Sequence, residues 1–394
     1  MFFVNGEIHT MFGKMIPNGF LQVTEGKITA IGDMADLKIE DCEESRFDLH
    51  GAFVCPGFID AHTHLGMWED GLGFEGDDGN EETDPATPQL RATDAVNPMD
   101  RCFQEALEAG ITTVVTGPGS ANPVGGTLIA MKTSGNRVDD MLLQDPLAVK
   151  MALGENPKSV YHGKGQAPVT RMATAAIIRE QLMKARRYME DVERAQEDPD
   201  FDLPELDLKC EALLPLLRRE IPVHIHCHRA DDMFTALRLA KEFNLKLVLV
   251  HGTEGAMIAD SLAKEKVPVL SGPILCDRSK PELRNLTPKT PGVLARAGIK
   301  TCLVTDHPVI PIQYLPVCAG LAVREGMDWN AALEAITCVP AEICGLTNRV
   351  GTLATGTDAD FLVFDRDPLT LSAKPKMVFV DGVCVLNRES EKEG

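Results

Sequence analysis

Pro56-Gly57-Phe58-Ile59-Asp60-Ala61-His62-Thr63-His64 is an apolar stretch of strand character that finishes in two imidazoles one residue apart. Alternate positions on a strand share a face, so His62 and His64 can converge on one metal ion through neutral ring nitrogens. A histidine pair at the end of a single core strand is more often structural or hydrogen-bonded. Here, however, later apolar runs end in the same way. IPVHIHCHRADD places His224, His226 and His228 at alternate positions, KLVLVHGTEG puts His251 at a strand tip, and KTCLVTDHP ends in Asp306 and His307. His62, His64, His224, His226, His228 and His251, six of the ten histidines, thus fall at three strand ends, with His307 at a fourth, a clustering that core packing does not account for.

Outward from these motifs, the texture is that of alternating strands and helices, which predicts βαβ units and a parallel sheet. Strand-like runs are expected at Phe53–Ala61, Ile111–Thr116, Leu147–Leu153, Pro222–Cys227, Leu245–Val250, Val267–Leu270 and Ile299–Thr305. A weaker eighth lies at Thr127–Lys132. Helices are expected at Pro98–Ala109, opened by Asn97 and Pro98, and at Arg171–Gln196 and Ala230–Phe243. Eight strands with interleaved helices predict an α/β fold, a closed (β/α)₈ TIM barrel with insertions, over 56–346. The first fifty-five residues and 347–394 alternate apolar and polar residues between Gly and Asn turns, and are expected to pair into one small composite β-sandwich formed by both termini.

Composition narrows the function. The chain has 394 residues, 44% of them hydrophobic, enough to bury a large core. Its net charge of −20 argues against extended contact with nucleic acid or an anionic membrane, both of which call for a basic surface. No signal-peptide pattern and no run of eighteen apolar residues is present, so a soluble cytoplasmic protein is the default expectation. Eleven cysteines, an odd number with no CxxC pair, read as reduced core residues rather than as a disulfide framework.

The PGFIDAHTH strand, the later strands ending in single histidines, the terminal TDHP and the split β-sandwich resemble the amidohydrolase superfamily over essentially the whole chain. Within it the chain looks closest to the imidazolonepropionase-like group, whose members include cyclic-amide hydrolases and dipeptidases. The resemblance implies that His62 and His64 bind one metal, that His226 and His251 supply imidazoles from the fifth and sixth strands, and that Asp306 ligates metal and handles protons. Zinc is the divalent metal expected, as one or two ions. His228 would sit nearby in the pocket, and His224, deeper along the strand, reads as a core residue.

Metal count turns on Lys150, a lysine inside the apolar run Leu147–Leu153 and therefore in need of pairing or neutralisation. Three readings stay open: a carbamylated Lys150 bridging two metals, as in binuclear relatives; a free ammonium that reaches the barrel mouth; or Glu155 as the bridging carboxylate. In the mechanism this implies, a metal-activated water attacks a C–N bond in a cyclic amide, an amide or a dipeptide. Asp306 accepts its proton, and His228 or His251 steadies the oxyanion. Deamination of a heterocyclic ring on a mononuclear site is the alternative, and a barrel that has lost catalysis is a third.

Further polar residues fall in loops expected at the barrel mouth. Asn122, Arg171 and Arg91 could grip a substrate carboxylate, and the glycine-rich loop 117–126 could approach it closely. The acidic stretch 68–85, WEDGLGFEGDDGNEETDP, reads as a solvated loop, with ordering over a substrate as the alternative. The partner expected is a small molecule, and association into a homo-oligomer is common for barrels of this size.

Overall fold

The computed structural model describes residues 1–37 and 45–388. Two eight-stranded sheets organise it. Residues from both termini build the first: β1 (Phe2–Ile8), β2 (Ile16–Thr24), β3 (Lys27–Asp33), β4 (Arg46–Asp48), β5 (Phe53–Pro56), β14 (Phe361–Phe364), β15 (Met377–Val380) and β16 (Val383–Asn387). Its order is β16-β15-β14-β5-β1-β2-β3, with β4 beside β1. Phe3, Phe361 and Phe379 meet at its centre, Phe361 and Phe379 stacking at 4.3 Å and Phe3 set edge-on to both.

The second sheet runs β6 (Phe58–Thr63), β7 (Ile111–Thr116), β8 (Val124–Lys132), β9 (Leu142–Ala152), β10 (Val223–Cys227), β11 (Leu247–His251), β12 (Val269–Ser271) and β13 (Thr301–Leu303), in that spatial order. Backbone bonds from His64 N to His307 O (2.9 Å) and from Asp306 N to His62 O (3.2 Å) join the two ends. The sheet thus forms a nearly closed barrel, as the strand count predicts. Alternation decides which residues face in. On β10, Val223, Ile225 and Cys227 pack outward with Leu213, Leu216, Ala236 and Leu239 of the surrounding helices, which leaves His224, His226 and His228 on the inner face.

Two sequence expectations need correction. The run Phe53–Ala61 is not one strand. It breaks at Gly57 into β5 of the terminal sheet and β6 of the barrel. A Cβ at Gly57 would lie 2.0 Å from Thr112 Oγ1, so only glycine lets the chain pass there. The second correction is to Thr127–Lys132, expected to be a parallel strand with its own helix. It extends to Val124 and runs antiparallel to both neighbours, linked to β9 only by the single turn Val138–Met141. Hydrophobic periodicity identifies a buried strand without its direction, and here a short connection made reversal the geometry within reach.

The expected helices are present at Arg101–Glu108, Arg171–Glu197 and Ala230–Phe243, the first capped by Asp100 rather than by Asn97. Lys132, at the end of β8, is buried between the sheets and lies within 3.0 Å of Asp358, Asp360 and Asp381 from the C-terminal segment. The ten described cysteines are free. No described helix is long and apolar enough to cross a membrane.

Candidate metal centre at the barrel mouth

Five strands deliver the site. His62 and His64 come from the end of β6, Lys150 from β9, His226 and His228 from β10, His251 from the tip of β11, and Asp306 from just beyond β13. His62 Nε2 lies 3.1 Å from Lys150 Nζ and 3.4 Å from Asp306 Oδ1, and His64 Nε2 lies 3.3 Å from the same oxygen. His228 and His251 stack at 4.5 Å, with His226 edge-on to both. Ligand atoms of His62, His251 and Asp306 fall within 4.8 Å of one another, and so do those of His226, His228 and His251. His251 and Asp306 both hold left-handed backbone conformations, φ 76° and 56°, as bends that turn a side chain inward at a strand end require.

Hydrogen bonding fixes two of the tautomers. His64 Nδ1 lies 2.7 Å from Gly117 O, and His251 Nδ1 lies 2.7 Å from Gly272 O. A carbonyl oxygen only accepts, so both Nδ1 atoms carry the hydrogen and both Nε2 atoms offer a lone pair. Burial pulls the His62, His226, His228 and His251 rings below their ordinary pKa, His251 to about 4, which keeps them neutral. Asp306 Oδ1 thus faces the Nε2 lone pair of His64 at 3.3 Å, with both nitrogens of His226 and Nδ1 of His62 buried and without a partner. Such a donor set is repulsive by itself and is the set that binds a divalent cation, so the residues fit the metal that the resemblance implies.

Lys150 is 1% exposed, and among the described residues no carboxylate lies within 4.0 Å of its amine. Burial lowers it to about 8. On the neighbouring strand His224 pairs in register with Lys150; its two ring nitrogens are buried without partners, and burial together with Lys150 depresses its pKa to about 3.

Other sequence candidates lie apart from this cluster. The Asn122 amide is fully engaged by Glu81 O, Thr87 and Tyr161, and Arg171 pairs with the buried Asp232 at 3.0 Å. Arg91 binds Asp145 at 2.9 Å. Glu155 meets Glu282 rather than an imidazole: its N–H donates to Glu282 Oε2 and its own Oε2 accepts from Glu282 N. None of these four lines the cavity over the centre, a space of about 710 Å³ that does reach His64, His226 and Asp306.

The 68–85 stretch is largely exposed, as expected of a solvated loop, and several of its residues also wall this cavity. Trp68, Glu69, Asp70, Asp77, Asn80 and Glu82 all line it. Trp68 sets its ring edge-on to His64 at 4.7 Å and donates its indole N–H to Asp77. Glycine spacing allows the fit, since a Cβ on Gly79 would lie 2.3 Å from the Trp68 ring. Lys280 and Glu282, in the loop after β12, were not legible in the sequence. Charged residues in a stretch such as CDRSKPEL read as surface, yet Glu282 is 1% exposed and stands 3.7 Å from both His226 Nε2 and His228 Nε2.

The sequence matches the amidohydrolase family over residues 53–385. A solved structure of an amidohydrolase from Thermotoga maritima is 41% identical and superposes with a TM-score of 0.94, covering 98% of this chain and all of that one. Amidohydrolase tasK of Hapsidospora irregularis is 31% identical over 93% of this chain, and an adenine deaminase of Listeria monocytogenes is 25% identical over 92%. The chain spans only 40% and 53% of those two proteins. An imidazolonepropionase of Bdellovibrio bacteriovorus is 26% identical over 94% of this chain and 89% of its own length. A barrel mouth ringed by histidines and an aspartate, and a family match that takes in all of them, lead to one conclusion: the chain is an enzyme of the amidohydrolase family.

Proposed function

We propose that the chain hydrolyses a carbon–nitrogen bond in a small cyclic amide, amide or dipeptide, with one or two divalent ions, zinc foremost, held by His62, His64, His226, His251 and Asp306. The observation that carries this reading is the meeting of an ionised Asp306 with lone-pair nitrogens fixed by Gly117 O and Gly272 O. A bound divalent ion supplies Lewis acidity, bringing a water toward ionisation at neutral pH and polarising the scissile carbonyl. Asp306 would then take the proton of the attacking water and return it to the leaving nitrogen, a task its position beside His62 and His64 suits. His228, 4.5 Å from His251 and tied to Thr253 at 2.7 Å, would donate toward the developing oxyanion. In this reading Lys150 is a carbamate. Burial brings its amine to about 8, so the neutral form that adds carbon dioxide is populated near neutrality, and the resulting anion would offer oxygens beside His62.

Elemental analysis of the purified protein, combined with a screen of cyclic ureides, N-acyl amino acids and dipeptides, tests the proposal. Stoichiometric metal and hydrolysis that fails in Asp306→Asn are the expected results. A protein that takes up no divalent ion, or that releases ammonia from a heterocyclic ring while leaving every amide intact, would overturn it.

A further inference from the structure

We propose that Lys280 is the anchor for a substrate carboxylate, so that the natural substrates are amides bearing a carboxylate group. The inference rests on the hydrolytic reading above for the meaning of "substrate", but the contact it names is independent of turnover.

The lysine is held in place before any ligand arrives. Its ammonium lies 2.7 Å from Asn156 Oδ1 and forms an ion pair with Glu282 Oε1 at 2.7 Å, while the side chain is 27% exposed and lines the cavity. An ammonium has three N–H donors, and two of them are used; among the described residues the third has no acceptor. An amine fixed by two partners loses little further freedom on meeting an anion, which favours binding. Glu282 balances the charge formally, so what Lys280 offers an anion is its remaining N–H rather than net positive charge. The second oxygen of Glu282 accepts the Glu155 N–H, and the carboxylate also faces His226 and His228.

Another part of the cavity lining carries the opposite sign. Trp68 and its loop follow β6, whereas Asn156 follows β9 and Lys280 follows β12, so the acidic loop and the lysine enter the mouth from different strand ends. In that loop Asp70 and Glu82 are paired with Arg101 and Lys164, but among the described residues neither Glu69 nor Asp77 has a cation within 4.0 Å. A substrate anion is therefore repelled by the Trp68 side and received at Lys280. His226, His64 and Asp306 line the same cavity as Lys280, so an amide attached to that anion shares the space with them. A cavity of about 710 Å³ accommodates a ligand of dipeptide size.

Titration calorimetry on metal-loaded Asp306→Asn protein, which should bind without turning over, provides the test. The probes are N-acetyl derivatives of alanine, phenylalanine, glutamate and lysine, each compared with its own carboxamide. Carboxylates should bind at least tenfold more tightly than carboxamides, and the preference should vanish in Lys280→Met and persist in Lys280→Arg. The double substitution Lys280→Met with Glu282→Gln guards against misfolding from an orphaned carboxylate and should likewise lack the preference. Equal affinity for acid and amide across the panel, no binding of any probe, or a preference unchanged in Lys280→Met would overturn the proposal. Selective carboxylate binding by a protein whose wild type hydrolyses nothing would leave it standing and sink the hydrolytic reading instead.

Discussion

Asp60 accepts two hydrogen bonds from Thr305 across the seam between the first and last barrel strands, 3.0 Å from the backbone N–H and 2.5 Å from the hydroxyl. Its other oxygen accepts the N–H of His62 at 3.2 Å. One buried carboxylate thus fixes the backbone beside His62 and, through Thr305, the residue before Asp306. Thr305→Val removes one donor while keeping the shape of the side chain. Leaving the carboxylate with one fewer partner should cost about 1–3 kcal/mol in denaturant unfolding. Affinity for zinc in equilibrium dialysis should fall as well, and undiminished stability would show that the seam does not depend on this bond.

Asp306 is expected to matter to chemistry more than to folding. Asp306→Asn should lower kcat/KM by roughly 10²–10⁴-fold, the range associated with loss of a proton acceptor. Removing the carboxylate from between His62 and His64 should leave the melting temperature of the metal-free protein unchanged or raised. Activity within a few-fold of wild type would assign the proton transfer to another group.

Lys132 ties the barrel to the terminal sheet. Lys132→Met removes the cation within 3.0 Å of Asp360 and Asp381, and one of three around Asp358, which keeps Lys27 and Arg349; breaking a buried ion pair from one side typically costs about 3–5 kcal/mol. Equilibrium unfolding in guanidinium should reveal a loss of that size, with the cavity residues untouched.

The same network sets a pH dependence. Burial raises the Asp358 carboxyl, but Arg349, Lys132 and Lys27 outweigh it and bring the pKa to about 2, below the ordinary 3.8. A folded-state pKa below the unfolded one contributes stability that is complete above about pH 4 and is lost as the pH falls toward 2. Asp358→Asn should flatten the stability profile between pH 4 and 2, measured by urea unfolding at each pH. A profile of unchanged slope would place the acid sensitivity elsewhere.

The wall over the cavity depends on glycine. In Gly79→Ala the new Cβ meets the Trp68 ring at 2.3 Å, so the indole must leave its place against His64. The expected result is a KM raised several-fold or more with the melting temperature nearly unchanged, and a quenching profile of Trp68 fluorescence that shows greater exposure. Unaltered kinetics would mean that the 68–85 stretch has no part in holding substrate.

The sequence by itself determined the barrel and the chemical character of its mouth. Period-two alternation in IPVHIHCH sends His224, His226 and His228 to one face, and strand-end histidines and the TDHP aspartate can be read off as donors because strand geometry is local. Local rules also explain what was misread: apolar periodicity does not carry strand direction, so Val124–Lys132 was legible as a strand but not as an antiparallel one. Only the tertiary structure decided which polar residues meet. Asn122, Arg171, Arg91 and Glu155 looked available and are engaged by partners from 35 to 127 residues away, or 61 and 54 in the case of the two arginines. Lys280, Glu282 and Trp68 looked like surface and line or flank the centre. Charged and polar side chains are satisfied by whatever the closed barrel brings within 3 Å of them, and no sequence spacing encodes that proximity.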